Sequence, residues 1–354
     1  MFQLRFENQV FSKTSDFEQN LEGLPDFAKE SISFCKFWLN GTTEFNQQTS
    51  GSTGIPKTIR ISRSQFLASA KGTGEFFQMG ENSRILCCLN PAYIAGKMML
   101  VRAMVWNCEL VLVEPNSDPL KNCSGEFDLA AFVPLQVEGT FNNPESLAKL
   151  KSIKNLIIGG APLSSGLKQK LISSQISAYQ TYGMTETVSH IALARIEAGE
   201  MLYKTLPGVI IGKDERGALW VLSEMGGPEK IQTNDRIELF SPNSFHWLGR
   251  VDFVINSGGI KHFPEELEQK IEPLVDKYFP NSRFFIFGES DEKLGEKIVL
   301  LVERKENQKS AIDLLEDLKN VLNKYEIPKA IYLRTEFAET PTGKIDRKRT
   351  FANP

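Results

Sequence analysis

Histidine is scarce: three residues in 354, His190, His246 and His262, none in a His-Glu-x-x-His spacing, which argues against a histidine metal centre. Cysteine is few and odd in number, at 35, 87, 88, 108 and 123, with no Cys-x-x-Cys pair. That pattern suits neither a disulfide framework nor a zinc site, so buried free thiols are expected. No excess of one charge exists: 41 Lys+Arg face 44 Asp+Glu for a net charge of -3, which disfavours a polyanion such as nucleic acid as partner. The most apolar stretch, Tyr93 to Trp106, is interrupted by Lys97 and Arg102, so no membrane span is expected. The opening MFQLRFENQVFSK has no apolar core of the kind a secretory leader needs, and the expected location is the cytoplasm. Repeats and low-complexity tracts are absent. What remains, 41% hydrophobic and 24% charged residues, is the composition of a globular protein, with length for about two domains of common size.

Short apolar runs bounded by turn residues occur at RILCCL (84–89), CELVLVEP (108–115), LAAFVPL (129–135) and KNLIIGGAP (154–162), separated by helical patterns. This alternation predicts βα units and a mostly parallel sheet. After Gly249 the texture changes to a helix in PEELEQKIEPLVDKYF, strands in RFFIFGE and EKIVLLVER, a helix in AIDLLEDLKNVLNKY and a strand in KAIYLRT, the order of a small α+β domain. The expected fold is α/β: a large N-terminal domain, 1–251, with mostly parallel sheets, joined by a hinge to a small α+β domain, 252–354.

Four segments carry chemistry. Thr49-Ser50-Gly51-Ser52-Thr53-Gly54-Ile55-Pro56-Lys57 combines hydroxyls, glycines and a lysine; glycine lets backbone approach an anion, hydroxyls and N–H groups donate to it, and Lys adds charge. A polar surface loop is the plainer reading. A Walker A loop fails, because Gly54 is followed by Ile-Pro and then by KTIRIS, which alternates like a strand. Tyr182-Gly183-Met184-Thr185-Glu186 offers a ring for a base and a carboxylate for Mg²⁺, although an ordinary turn uses the same residues. Thr233-Asn234-Asp235 stands before an apparent strand IELF, followed by Gly249-Arg250-Val251-Asp252 and Asn256-Ser257-Gly258-Gly259; an Asp there can accept ribose hydroxyls and an Arg can bond ribose or phosphate. The last is Thr340-Pro341-Thr342-Gly343-Lys344-Ile345-Asp346-Arg347.

In sequence and in order these segments resemble the core motifs of the adenylate-forming enzymes: acyl-CoA synthetases, peptide-synthetase adenylation domains and luciferases. The resemblance implies ATP, Mg²⁺ and CoA as reactants or cofactors. It implies that the loop Thr49, Ser50, Gly51, Ser52, Thr53, Gly54 to Lys57 closes over the β- and γ-phosphates. Tyr182 would stack on adenine, flanked by Gly183 and Met184, with Gly160-Ala161-Pro162 on the other side. Thr185 would touch the α-phosphate, Glu186 would hold Mg²⁺, and Asp235 assisted by Arg250 would bind the ribose. Asp252 matches the hinge, Gly258 and Gly259 would face the pantetheine channel, and Lys344 matches the lysine that enters for adenylation and leaves before thioester formation.

The acid pocket of such enzymes is built in part from a segment that commonly carries a His; here it reads LNPAYIAGK, with Tyr93 in that place. No Asp lies between Arg84 and Trp106, which disfavours an amino acid substrate. Lys97, near the start of the apolar helix KMMLVRAMVW, either snorkels to water or pairs with a second substrate carboxylate. Together with Ser189 and His190 it forms the expected substrate pocket. YIAGKMM, YGMTETVSHIAL and WLGRVDFVINSGGIK are similar to o-succinylbenzoate:CoA ligases, which implies an aromatic dicarboxylate substrate for menaquinone synthesis. Two alternatives stand beside it: an enzyme that loads a carrier protein or takes another acid, and an AMP-binding protein without catalysis.

Overall fold

The computed structural model describes residues 1–49, 57–304, 308–340 and 345–352, with the side chains of 48, 49, 57, 308 and 309 left aside. The segments 50–56 and 341–344, and with them the expected roles of Ser50 to Gly54 and of Lys344, lie outside the described residues.

Thirteen of the described strands form one continuous mixed sheet. Beside the antiparallel edge strand Gln9–Phe11, six strands run parallel, in the spatial order Gln3–Phe6, Glu109–Leu112, Arg84–Cys87, Leu129–Phe132, Leu156–Ile158, Ala178–Gly183. The four apolar runs of the sequence are all here. Leu129–Phe132 and Leu156–Ile158 are buried along their whole length, as strands covered on both faces by crossover helices must be. The other half runs on through His190–Arg195, Leu202–Thr205, Ser244–Arg250, Gly227–Ser241, Ala218–Ser223 and Ile210–Lys213, each antiparallel to its neighbour. Its connections are too short for a helical crossover: only residues 184–189 separate Ala178–Gly183 from His190–Arg195, and a parallel return needs a dozen or more. The sheet is therefore mixed, with its parallel character confined to the N-terminal half.

The second sheet starts at Ile255, after a one-turn 3-10 segment Val251–Phe253. It joins the hairpin Ile255–Ser257 and Ile260–His262 to Phe284–Asp291, Gly295–Glu303 and Ala330–Arg334. Helices Pro264–Tyr278 and Gln308–Leu318 bury Leu267, Ile271, Val275, Leu314 and Leu318 against it. The second helix stops well before the expected Tyr325. Single-turn bonds from Lys319, Asn320 and Val321 replace the helix, where two asparagines and a β-branched valine weaken helix propensity.

A separate two-stranded hairpin pairs Glu44–Thr49 with Lys57–Ser62, in a register that sets Thr49 opposite Lys57. KTIRIS is thus a strand, as its alternation indicates, and residues 50–56 connect the two strands. The hairpin is held at its base by a capping box. Ser62 Oγ accepts from Gln65 N at 3.2 Å, and Ser62 N donates to Gln65 Oε1 at 2.9 Å, starting helix Arg63–Phe77. Ser62→Ala should lower unfolding stability by about 1 kcal/mol, the usual contribution of such a cap. Denaturant titration of the variant tests this, and an unchanged midpoint contradicts it.

Candidate active site

Parallel strands end where ligands bind in open α/β sheets. At the carboxyl ends of two neighbouring parallel strands stand Gly159-Gly160-Ala161-Pro162 and Tyr182-Gly183, in a register that pairs Ile158 with Gln180. Gly160 has φ +87°, a conformation that favours glycine. Gly183 is required for a different reason: a Cβ there would lie 2.4 Å from His190 Cα and Ser189 O on the next strand.

Asp235 lies four strands away from Tyr182 in sheet order, which along a flat sheet would be roughly 19 Å. Yet the Tyr182 hydroxyl donates to Asp235 Oδ2 at 2.7 Å. The antiparallel half is therefore curled back on itself, and its concave side is filled by Tyr182, Tyr203 and Phe245, with ring centroids 5.3–5.8 Å apart. Asp235 is not at the start of a strand, as IELF alone suggests, but inside the 15-residue strand Gly227–Ser241. A register shift after Arg236 breaks the ladder there, the usual mark of a bulge that re-aims a side chain. Trp247 Nε1 donates to Asp235 Oδ1 at 3.2 Å, and Arg250, the cross-strand partner, stands 3.8 Å from the same oxygen. Burial and the Asp235 charge raise Tyr182 well above the usual phenol range, so it remains a neutral donor. A carboxylate has about four acceptor positions, and these contacts leave Asp235 capacity for two further hydroxyls.

Arg250 also grips Asp252 through two hydrogen bonds, 2.9 and 2.7 Å, which raise the Arg and lower the Asp. Thr185 and Glu186 lie in the 3-10 turn Thr185–Thr187. Glu186 is exposed. The turn closes with Val188 at φ +63°, ψ -49°, buried, while Ser189 N donates to Thr187 O at 2.6 Å. This is the rare left-handed γ-turn, strained for a β-branched residue, and it carries the chain from Glu186 to Ser189 and His190. Gly258 and Gly259 form the two-residue turn of the hairpin Ile255–His262, both with positive φ, so the turn itself explains their identity.

The four residues that the sequence places in the substrate pocket separate into two groups. Lys97 is half-buried on helix Ile94–Trp106. Its Nζ donates to Gln47 Oε1 at 2.7 Å and lies 5.6 Å from the Phe34 ring; burial lowers its pKa. Tyr93, at the helix N-cap, is exposed. Ser189 and His190 meet instead on Arg102, which the sequence reading passed over. Arg102 is 2% exposed; its guanidinium donates to Ser189 Oγ at 3.1 Å and to His190 Nδ1 at 3.4 Å. Among the described residues its buried Nε has no partner and no carboxylate pairs with it. Burial brings its pKa down to about 10. A cation in the middle of a helix apolar on every side had to be buried, and that was the available signal.

Thr73 Oγ1 donates to Ser69 O at 3.0 Å, so at 3.2 Å from His190 Nε2 it accepts from that nitrogen, leaving Nδ1 to accept from Arg102. Burial and Arg102 hold His190 well below its ordinary pKa. The folded state therefore binds fewer protons than the unfolded state as pH falls below about 6.5, and stability drops there. Glu265 and Glu268 are raised and act in the opposite sense, so the comparison must be with a variant. His190→Asn should remove a slope of up to about 1.4 kcal/mol per pH unit between pH 6.5 and 5. Identical pH dependence in parent and variant, read from unfolding midpoints, would refute the neutral-histidine assignment.

The sequence pattern described as AMP-binding enzyme matches residues 45–213. The acyl-CoA synthetase (AMP-forming)/AMP-acid ligase II-like protein of Dyadobacter fermentans is 37% identical, with 96% of this chain and 98% of that one covered and a TM-score of 0.65. The chain belongs to this family of AMP-forming, acyl-CoA synthetase-like ligases. A 2-succinylbenzoate–CoA ligase of Enterococcus faecalis is 25% identical over 85% of this chain and 67% of its own. The o-succinylbenzoate coenzyme A synthetase of Bacillus subtilis, solved with ATP and magnesium ion, shares the fold at 20% identity and TM-score 0.72, over 86% of this chain and 69% of that one. The chain spans about two thirds of the length of these two. All five cysteines are buried and free, as expected, and no described helix is long and apolar enough to cross a membrane.

Proposed function

We propose that the chain is an ATP-dependent acid:CoA ligase that acts in two steps on o-succinylbenzoate. The observation that carries the substrate is Arg102, a buried guanidinium with no acid partner among the described residues, facing Ser189 and His190. Isolated buried charges are costly unless paired, and a substrate with a second carboxylate supplies the missing anion. The names of the curated relatives point the same way.

In the first step the substrate carboxylate attacks the α-phosphorus of ATP. A C–O–P mixed anhydride forms as the bond to pyrophosphate breaks. Asp235 accepts the two ribose hydroxyls, Arg250 assists, and the Tyr182 ring lies along adenine opposite Gly160-Ala161-Pro162. The loop from Thr49 to Lys57, hung on the hairpin, covers the β- and γ-phosphates, and Thr185 donates to the α-phosphate. The exposed Glu186 suits Mg²⁺, which takes one or two protein carboxylates and completes its shell with phosphate oxygens and water. Bound there, the ion supplies charge neutralisation to the phosphates. Lys344 adds positive charge where it builds on the transferring group. In the second step Lys344 leaves as the 252–354 body turns about Asp252. The CoA thiolate, admitted past Gly258 and Gly259, attacks the acyl carbon; the C–S bond forms as the acyl C–O bond breaks, and AMP departs with that electron pair on its phosphate oxygen.

Lys97, already bonded to the Gln47 amide, is the lesser of the two cations for the acid. Arg102→Met should lower kcat/KM for o-succinylbenzoate roughly 10- to 150-fold, the effect of losing a charge-assisted hydrogen bond. Benzoate-type monocarboxylates should lose little, and Lys97→Met should cost less than Arg102→Met for the dicarboxylate. Thioester formation with CoA is followed by mass spectrometry. Equal losses for both classes of acid contradict the Arg102 assignment, and a parent enzyme that makes no thioester from o-succinylbenzoate contradicts the substrate.

A further inference from the structure

Three residues beyond Lys344, Arg347 begins the short helix Arg347–Ala352 and turns its guanidinium inward. It meets both oxygens of Glu268, each at 2.9 Å, and stands 3.8 Å from Glu265. The rings of Phe253 and Phe285 lie 4.9 and 5.5 Å from it. Glu268 is fixed in turn by the Ile286 N–H, which donates at 2.8 Å. Glu265 has one buried oxygen without a partner among the described residues, in the position that a Cβ on Gly249 would crowd at 2.7 Å. One side chain thus touches helix Pro264–Tyr278, strand Phe284–Asp291 and Phe253, the residue after Asp252.

The stretch leading into Arg347 is pinned as well. Glu339 and Ile345 form an isolated bridge, Asp346 N donates to Ala338 O at 2.8 Å, and Arg283 bonds Glu339. Thr350 Oγ1 accepts from Ala338 N at 3.0 Å. Both ends of the segment that carries Lys344 are therefore fixed to the small sheet, and one of them, through Arg347, to the turn at 251–253.

Two carboxylates against one guanidinium, in a mostly buried place, make a poor source of stability. Burial raises both acids, Glu268 to about 7, and well-packed apolar residues often stabilise such a site as much or more. A bidentate fork clamped between two rings gives direction instead.

We propose that Arg347 is a positioning residue for adenylation: it locks the Lys344 segment to the turn beside Asp252, so that the lysine is delivered in a fixed place when the small body turns. The proposal rests on the reading of Lys344 as the adenylation lysine.

The test separates the two half-reactions in the full chain, with o-succinylbenzoate or whichever acid the parent adenylates in a pyrophosphate-release screen. Arg347→Met should lower the kcat of pyrophosphate release about 10- to 100-fold, the effect of a misplacement of about 1 Å, with KM for ATP held within about threefold. Thioester formation from supplied acyl-adenylate does not use Lys344 and should stay within about threefold, which also reports that the variant is folded. Glu268→Gln, a milder change, should shift the same step in the same direction. In a Lys344→Ala background, Arg347→Met should have almost no further effect, since residues that act as a unit are not additive. Additive losses in that background, loss of thioester formation in step with adenylation, or a rise in KM for ATP at constant kcat each overturn the clamp. Lys344→Ala that adenylates at the parental rate overturns the reading of Lys344 itself, and the clamp with it.

Discussion

Asp235 accepts a phenol hydroxyl from one strand and an indole N–H from another while a guanidinium stands 3.8 Å away, and the shape of the antiparallel half follows from these contacts. Tyr182 belongs to the last parallel strand, Asp235 to a strand four places further along. Only a strongly curled sheet brings them together, and the aromatic packing of Tyr182, Tyr203 and Phe245 fills the inside of the curl. The same carboxylate stands next to Arg250, which holds Asp252, the last polar group before the second sheet. The proposed ribose seat, the proposed base-stacking ring and the proposed hinge are thus one hydrogen-bonded unit. A nucleotide that engages Asp235 and Arg250 acts directly on the chain at Asp252.

The buried Arg102 and the half-buried Arg347 answer different needs. Arg102 has no carboxylate among the described residues and sits on a helix whose other faces are apolar. In the proposed function its charge is met by the second carboxylate of the substrate. Arg347 has more carboxylate than it can neutralise and is sandwiched by rings. In the proposed clamp its charge serves to hold helix Arg347–Ala352 against Glu268 and Phe253. Burial of a charge is costly in both places, and the two outcomes, recognition and registration, are what such a cost is retained for.

Much of this was legible in the residues themselves. The central parallel strands Arg84–Cys87, Leu129–Phe132 and Leu156–Ile158 announced themselves as short apolar runs because both of their faces are covered, and KTIRIS alternated because only one of its faces is. The adenylate-forming motifs stood out by type and order, since glycine, hydroxyl, carboxylate and lysine are chosen locally. What the sequence hid depends on contacts between distant segments. The place of Asp235 within a long bulged strand, the indole of Trp247 beside it, the meeting of Ser189 and His190 on Arg102, and the bond from His190 to Thr73 join residues up to 117 positions apart. Helix periodicity could not rank Lys97 against Arg102, because the helix is apolar on every side and gives no inner face to read. The γ-turn at Val188 contradicts local preference outright, and such strain persists only where surrounding packing imposes it.

The account stands or falls on formation of an acyl-adenylate at this site. Exchange of labelled pyrophosphate into ATP, with Mg²⁺ present and CoA withheld, measures that step in isolation. Label should enter ATP only when o-succinylbenzoate is added, and Asp235→Asn, which keeps an acceptor oxygen for the Tyr182 hydroxyl, should sharply weaken the exchange while leaving the chain folded. Exchange that ignores the acid, or none with any carboxylic acid offered, would contradict it.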